Sequence, residues 1–404
     1  MNLPKLKPEH REMLKSAMNR LDSSFYYYDL DALEEHLTYM RDNKDPDLKL
    51  WYACKANPLS AILKLLRNLD FGLDVASKGE LDQVLSSGLL PQNILSTGPS
   101  KSRRYLKQLL MADVDVIVLE SINQAYWLNS IAENLQKNPK VLLRVQLEWD
   151  EGKSVLGGND ITPFGIEPDE WKRMEKSKTS SLDIVGFHVF QWGNILEVDR
   201  LEKIWMKIAE ECTELSKDLN IPLQILDLGG GLGIPYKEEE SPVSWEEVNS
   251  VLTKVKKKFK LPKIWMELGR FAVGESGMYF TQVIDRKSVR GKELLVTDGG
   301  INHMARPALT GQPFPCELFR NSKAELSRFY VHGPLCTGLD KLGDFDLPSD
   351  VGPGDWLCFK QAGAYGFTES MPYFLCHNLP AEVVIYKGNM MSPRPIRQSA
   401  EWLL

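Results

Sequence analysis

Lys55 ends an apolar run in Tyr52-Ala53-Cys54-Lys55-Ala56-Asn57-Pro58. A lysine directly after a strand sits where parallel barrels place their active groups. Its amine could form a Schiff base there if its neighbours lower its pKa; taken alone, a solvated strand-end lysine is the commoner reading. Gly229-Gly230-Gly231 and Gly233 follow the run 223–228. Glycines let backbone N–H groups close on an anion, and a glycine loop after a late strand suits the phosphate site of a barrel; the alternative is a tight turn. Glu267-Leu268-Gly269-Arg270 closes the run 263–268. A carboxylate there could keep a pyridine nitrogen protonated and make the ring an electron sink, and Arg270 could pair with phosphate; the alternative is a local ion pair. His188 in GFHVF could stack on a flat ligand or be a satisfied core histidine, Cys336 in GPLCTGLD could react or be a buried structural thiol, and Tyr365 in AGAYG could bind or be core.

The elements that must position these residues alternate. Apolar runs at 48–54, 70–75, 93–96, 114–119, 141–147, 183–190, 223–228 and 263–268 are separated by helical stretches such as 59–68, 78–87, 122–136 and 198–219. Eight strand–helix units are the number that closes a parallel barrel. After residue 270 strand-like runs follow one another, divided by Gly, Pro and Asp, which predicts an antiparallel β-domain. The early run 24–29 could join that domain. The expected organisation is a (β/α)8 barrel over 30–270, with 1–29 and 271–404 forming the β-domain. The polar stretch 148–162 reads as a loop.

Composition bounds the function. The chain has 404 residues, 43% hydrophobic and 26% charged, with net charge −6, which fits a globular protein of two domains. The acidic balance argues against nucleic acid. No apolar run suggests a membrane span, and the N-terminal residues lack the stretch of a signal peptide. Six scattered cysteines without a CxxC pair suggest neither a disulfide scaffold nor a structural zinc site, and a reducing cytoplasm fits best.

Taken in order, YACKANP, FGLDVASKGEL, ILSTGPSKS, FGI, GFHVF, LDLGGGLGI, ELGR, DGGINHMARPAL, GPLCTGLD and AGAYGFTESMPYF resemble the fold-type-III pyridoxal-phosphate (PLP) decarboxylases. These are the ornithine, arginine and diaminopimelate decarboxylases, built on an alanine-racemase-like barrel. The resemblance implies a carboxy-lyase with PLP as cofactor and no metal. Lys55 would hold PLP through its amine, and His188 would stack on the ring. Gly229, Gly230, Gly231, Arg270 and Tyr365 would bind the phosphate, and Glu267 would contact the pyridine nitrogen. Asp74, Glu80 and Arg144 would support the cavity. Cys336 would come from the neighbouring subunit of a homodimer with shared sites, and would be the acid that protonates the carbon losing CO2. Arg306 aligns with a substrate-holding residue of diaminopimelate decarboxylases.

Departures from the family pattern bear on substrate. Thr337 stands where ornithine-type relatives carry Asp and diaminopimelate-type relatives carry Glu against a distal ammonium; Gln191 replaces a serine, Leu268 a proline, and the Tyr373 segment lacks an asparagine. GxLCTxxD before AGAYG resembles the siderophore-pathway branch, which decarboxylates an amino acid joined to citrate, such as citryl-serine or citryl-diaminopropionate. For so anionic a small-molecule substrate, Arg306, His303, Thr337 and Tyr373 are the expected contacts. Alternatives are diaminopimelate decarboxylase, supported by DGGINHMARPAL; a racemase, against which Glu267 speaks; and an inactive decarboxylase-like regulator, against which the retained Lys55 and Cys336 speak.

Overall fold

The computed structural model describes residues 6–149 and 158–403, so 150–157 of the expected 148–162 loop lie outside the described residues. The chain divides into two units, His36–Gly233 with Pro242–Gly269, and Met1–Glu35 with Ile234–Ser241 and Arg270–Leu404.

The first unit is the expected barrel. Strands Leu48–Ala53, Gly72–Val75, Ile94–Ser96, Val116–Leu119, Lys140–Arg144, Asp183–His188, Ile225–Asp227 and Lys263–Leu268 pair in parallel and close on one another. Local sequence starts the helices between them. Ser77, Ser102, Ser121 and Ser244 each accept from the backbone N–H three residues on, which satisfies a donor that the first turn leaves bare. The helix Val198–Leu219 buries Leu201, Ile204, Trp205, Ile208, Cys212, Leu215 and Leu219, an apolar stripe at three- and four-residue spacing. It stops at Asn220, which takes the left-handed conformation at φ 49°.

The barrel interior is a packed core. Trp51, Leu95, Val116, Val118, Leu142, Val185, Ile225 and Trp265 form one buried cluster, and the two indoles lie 4.9 Å apart. Gly72 makes room for them, since a Cβ there would lie 2.3 Å from Trp51 Cε3. Lys49 Nζ sits 3.8 Å from the Trp51 ring centroid and bonds Asp115 at 3.0 Å.

The second unit centres on one sheet. Its strand order is Lys341–Pro348, Leu326–His332, Lys292–Thr297, Gly277–Val289, Phe25–Asp29, Ala381–Tyr386, Asn389–Arg394. Trp356–Phe359 also pairs with Gly277–Val289, and Cys316–Leu318 with Trp356–Phe359. The early strand does join this sheet, between Gly277–Val289 and Ala381–Tyr386. Most pairings are antiparallel as expected, but Phe25–Asp29 with Ala381–Tyr386 and Lys292–Thr297 with Leu326–His332 are parallel. The unit also opens with a helix, Pro8–Leu21, where only a strand was expected. Among the described residues no helix is long and apolar enough to cross a membrane.

His303 belongs to this unit's interior, which corrects its expected contact with substrate. It is 2% exposed. Its Nε2–H donates to the Asn378 carbonyl at 2.8 Å, and the Tyr279 hydroxyl donates to Nδ1 at 2.9 Å. Both ring nitrogens are therefore used, and burial lowers the pKa to about 4 against the pull of the Asn378 carbonyl. A neutral, enclosed imidazole offers an anion nothing.

Two outcomes follow from this packing. Gly72→Ala should cost about 1–3 kcal/mol in urea unfolding by overpacking, with part regained when Trp51→Phe is added. His303 should make stability fall with acid. Its folded pKa lies below the ordinary histidine value, so the unfolded chain takes up more protons below about pH 6.5 and stability is lost as pH falls towards 4. The effect amounts to about 3 kcal/mol, and His303→Gln should flatten that part of the stability–pH curve.

Candidate active site

The C-terminal ends of the barrel strands carry ionisable side chains where the interior carries apolar ones. Lys55 lies in the short turn Cys54–Ala56 after the first strand, its Nζ 5.4 Å from the Phe190 ring centroid. Asp74 on the second strand accepts from Thr97 N–H at 3.1 Å and from the Thr97 hydroxyl at 3.0 Å. Glu80, on the following helix, uses its carboxylate to accept from Ala76 N–H at 2.6 Å, fixing the turn into that helix. Arg144 ends the fifth strand and donates to Glu120 Oε1 and to the Phe190 carbonyl, each at 3.1 Å; the second Glu120 oxygen accepts from Gly165 N–H at 2.8 Å.

His188 and Asp227 end the sixth and seventh strands, and Glu267 is the last residue but one of the eighth. All three are buried, and one donor atom of each lies within 4.8 Å of the others. His188 Nε2 meets Glu267 Oε1 at 2.9 Å. Burial pushes the Glu267 carboxyl up, but the charge and hydrogen bond of His188, with Lys55 and Arg144, outweigh it and hold its pKa below the usual value. Asp227 has no such partner. Burial, then the charge of Glu267, raise its pKa well above the usual carboxylate range, and the bond from Gly229 N–H does not reverse that. Asp74 is pushed up in the same way, by burial first and Glu267 second.

The glycine loop lies directly against these strand ends. Gly229 and Gly231 have φ of 62° and 102°, a region open to glycine. A Cβ on Gly230 would lie 2.1 Å from the Glu267 carbonyl oxygen. Gln191, read as a departure from the family pattern, is 4% exposed; it accepts from Leu147 N–H at 2.7 Å and donates to the Leu147 and Gly158 carbonyls at 2.9 Å each. It thus fixes the backbone on both sides of residues 150–157.

In the second unit Arg270, Tyr365 and Arg306 come together. The Arg270 guanidinium carbon is 5.0 Å from the Tyr365 ring centroid and that of Arg306 is 5.2 Å from it. Arg270 also donates to the Tyr236 hydroxyl, and Arg306 pairs with Glu369 at 2.7 Å. Tyr365 takes the left-handed conformation at φ 55°, a strained choice for a bulky residue. Cys336 is exposed and so is not the buried structural thiol of the bland reading. Asp340 holds its turn, accepting from Ile301 N–H at 2.7 Å and Leu335 N–H at 2.6 Å. Thr337 Oγ1 accepts from Leu339 N–H at 3.2 Å, which leaves its O–H as a donor. Tyr373 is exposed and stacks with Trp402 at 5.8 Å, and His303 is enclosed as described.

Sequence reading missed Glu120, Lys101, Asp227 and Tyr236. Glu120 and Asp227 obey the rule that picked out Lys55, an ionisable residue at or just beyond a strand's C-terminal end, whereas Lys101 lies five residues past Ser96. Tyr236 follows the glycine loop and carried no comparable signal.

These residues fit PLP. The loop at 229–231 presents backbone without side chains, and among the described residues His188 Nδ1 and Asp227 Oδ2 are buried polar atoms with no hydrogen-bond partner. An amine, a charged carboxylate, a flat imidazole and a glycine anion nest are the parts that a phosphorylated pyridine aldehyde requires.

Comparison with known proteins agrees. The family described as pyridoxal-dependent decarboxylase, pyridoxal binding domain, matches residues 30–274. The L-glutamyl-[BtrI acyl-carrier protein] decarboxylase of Niallia circulans is 27% identical over 92% of this chain and 90% of its own. The 2-[(L-alanin-3-ylcarbamoyl)methyl]-2-hydroxybutanedioate decarboxylase of Staphylococcus aureus is 30% identical over 88% and 92%. The structure of diaminopimelate decarboxylase from Helicobacter pylori complexed with L-lysine superposes with a TM-score of 0.87 at 26% identity, covering 96% of this chain and 98% of that one. The chain belongs to the pyridoxal-dependent decarboxylases, lyases whose cofactor is PLP.

Proposed function

We propose that this enzyme decarboxylates an amino acid carried in an anionic acyl conjugate, most directly citryl-serine or citryl-diaminopropionate, as in the making of carboxylate siderophores. The observation that carries the reading is Thr337, a neutral side chain beside the exposed Cys336 at the position where diamino-acid decarboxylases place a carboxylate. The Staphylococcus aureus relative supports it, since the substrate in its name joins an alanyl group through an amide to a hydroxybutanedioate. The Niallia circulans relative, named for a carrier-bound glutamyl group, supports the wider idea that the substrate is an amino acid carried in a conjugate rather than a free diamino acid.

Bound PLP supplies an electron sink for the carbon that loses CO2. The chain's own residues do the rest. Lys55 holds the cofactor through its amine. Glu267, kept ionised by His188, holds a proton at the ring nitrogen. The glycine loop takes the phosphate, the role the family resemblance also gives to Arg270 and Tyr365. Arg306 faces a substrate carboxylate, exchanging part of its pairing with Glu369. Replacing a carboxylate by hydrogen requires an acid, and Cys336 is the group assigned to it. Its exposure on a single chain supports a homodimer in which each thiol serves the partner's site.

Substrate preference tests the reading. Removing one partner of a buried ion pair costs about 3–5 kcal/mol, or roughly two to four orders of magnitude in affinity. Ornithine, lysine and meso-diaminopimelate should therefore be poor substrates beside citryl conjugates in a CO2-release assay, and Thr337→Asp should impair turnover of the anionic conjugates. Efficient release from meso-diaminopimelate with none from citryl conjugates would instead establish the lysine-pathway alternative.

Site composition is tested separately. Lys55→Ala should abolish both the visible absorbance of bound PLP and turnover. Mixing Lys55→Ala with Cys336→Ala chains should restore part of the activity by forming one intact site per heterodimer; no recovery despite demonstrated subunit exchange would count against shared sites.

A further inference from the structure

The parallel strands of the barrel begin at the end opposite Lys55 and Glu267, and a cavity of about 440 Å³ lies there. That volume is within the range that small molecules occupy. Lys140 and Lys263 are the first residues of the fifth and eighth strands, Lys49 is the second residue of the first, and Asp115 immediately precedes the fourth. All four line the cavity, together with apolar groups such as Ile225 and Trp265. Lys49 is fixed in place, its Nζ 3.8 Å from the Trp51 ring centroid and 5.2 Å from that of Trp265.

The whole chain carries a net charge of −6, but this cavity is cationic. Arg41 and Lys44 join the three lysines, against Asp47, Asp70 and Asp115. Not all of that negative charge is free to balance them. Asp47 pairs with Lys256, which lies outside the lining. Asp115 is shared, 3.0 Å from Lys49 Nζ and 3.6 Å from Lys140 Nζ. Lys263 has no ion pair among the described residues. Burial lowers the pKa of Lys44 and of Lys49 in spite of Asp45 and Asp115, so the aspartates do not repay the hydration these ammonium groups lose. Groups at this end of a barrel ordinarily serve stability, and stability calls for balanced charge, because crowded like charges repel. The fifth strand is four places round the barrel from the first. An anion that serves Lys140 as well as Lys49 and Lys263 therefore needs more than one charged group, and the apolar lining suits a carbon skeleton.

We propose that the N-terminal end of the barrel is a binding site for a small polycarboxylate, with Lys49, Lys140 and Lys263 as its cationic contacts and Trp265 against its carbon skeleton. Asp115 holds two of the ammonium groups ready for it. The site is separate from the residues assigned to PLP, and it does not depend on which amino acid is decarboxylated. A ligand there ties together the starts of three strands and stabilises the folded barrel by mass action.

The experiment titrates PLP-loaded enzyme with citrate, inorganic phosphate and acetate at constant ionic strength, by calorimetry and by the shift in Tm. Wild type is compared with Lys140→Gln/Lys263→Gln, with Arg306→Gln, and with Lys287→Gln/Lys323→Gln, an exposed pair of the second unit that makes the same change in charge. Citrate should bind wild type and raise its Tm, phosphate should bind more weakly, and acetate should not bind measurably. Lys140→Gln/Lys263→Gln, both exposed positions, should keep its turnover and bind citrate about tenfold more weakly or worse. Lys287→Gln/Lys323→Gln should match wild type, and Arg306→Gln should still bind at least one citrate per chain. No citrate binding by wild type overturns the proposal, and so does phosphate bound as tightly as citrate. Citrate binding lost in Arg306→Gln but kept in Lys140→Gln/Lys263→Gln would place the anion in the active site instead. Equal weakening in Lys287→Gln/Lys323→Gln would mark a general effect of charge and also overturn it. Should the double variant not fold, unchanged citrate affinity in Lys140→Gln alone is decisive against the site.

Discussion

A carboxylate held charged at the end of a barrel strand is the interaction around which the site is arranged. Glu267 is 4% exposed, and burial alone would neutralise it. His188 at 2.9 Å, with Lys55 and Arg144, reverses that. The two neighbouring carboxyls meet the opposite fate. Asp74 and Asp227 are raised by burial and then by the charge on Glu267 itself. Carboxyls this close titrate as a set, and one full negative charge is easier to hold than three. Of the three, Glu267 is the one bonded to an imidazole, so it takes the charge.

The same residue is tied to the glycine loop through the backbone. Glu267 N–H donates to the Gly229 carbonyl at 2.7 Å, and Gly229 N–H donates to Asp227 at 2.9 Å. With Gly230 packed on the Glu267 carbonyl, the loop and the carboxylate cannot shift independently. The three glycines therefore do more than admit an anion, since they let the loop approach closely enough to fix the eighth strand's last turn. Any side chain at 230 would be felt at Glu267.

The barrel was legible because its signals are local and repeated. Eight apolar runs and the serine caps between them recur at regular spacing, and the helix 198–219 was readable to its last residue because its apolar stripe is unbroken. The helix Pro8–Leu21 was not, because its buried face is only His10, Leu14, Ala17 and Met18. Partner strands were also hidden. Nothing local tells Phe25–Asp29 that it will lie parallel to residues more than three hundred positions away. At the site, the strand-end rule placed Lys55, His188 and Glu267 at the barrel rim, and it would have found Glu120 and Asp227 if applied to every strand. His303 misled for a different reason. Whether a histidine is a cation or a neutral core group depends on burial, which its neighbours in sequence do not reveal.

The arrangement also separates what the reaction needs from what a substrate needs. Arg144 with Glu120, and His188 with Glu267, are enclosed and bonded in pairs, so a change at one disturbs its partner. The turn that carries Cys336 and Thr337 is built differently. Asp340 anchors it at two backbone amides, and a Cβ on Gly300 or Gly333 would meet the Asp340 carboxylate at 2.1 or 2.5 Å, so its base is fixed. Between those anchors Cys336, Gly338 and Leu339 are exposed and Thr337 is half-buried. A substitution at 337 therefore changes the charge presented beside the Cys336 thiol without altering the two Asp340 bonds that anchor the turn. On the reading proposed above, this lets relatives with one decarboxylation chemistry differ in the far end of the amino acid they accept: the carboxylate for a diamino acid and the neutral threonine for an acylated one occupy a position on which the rest of the site does not depend.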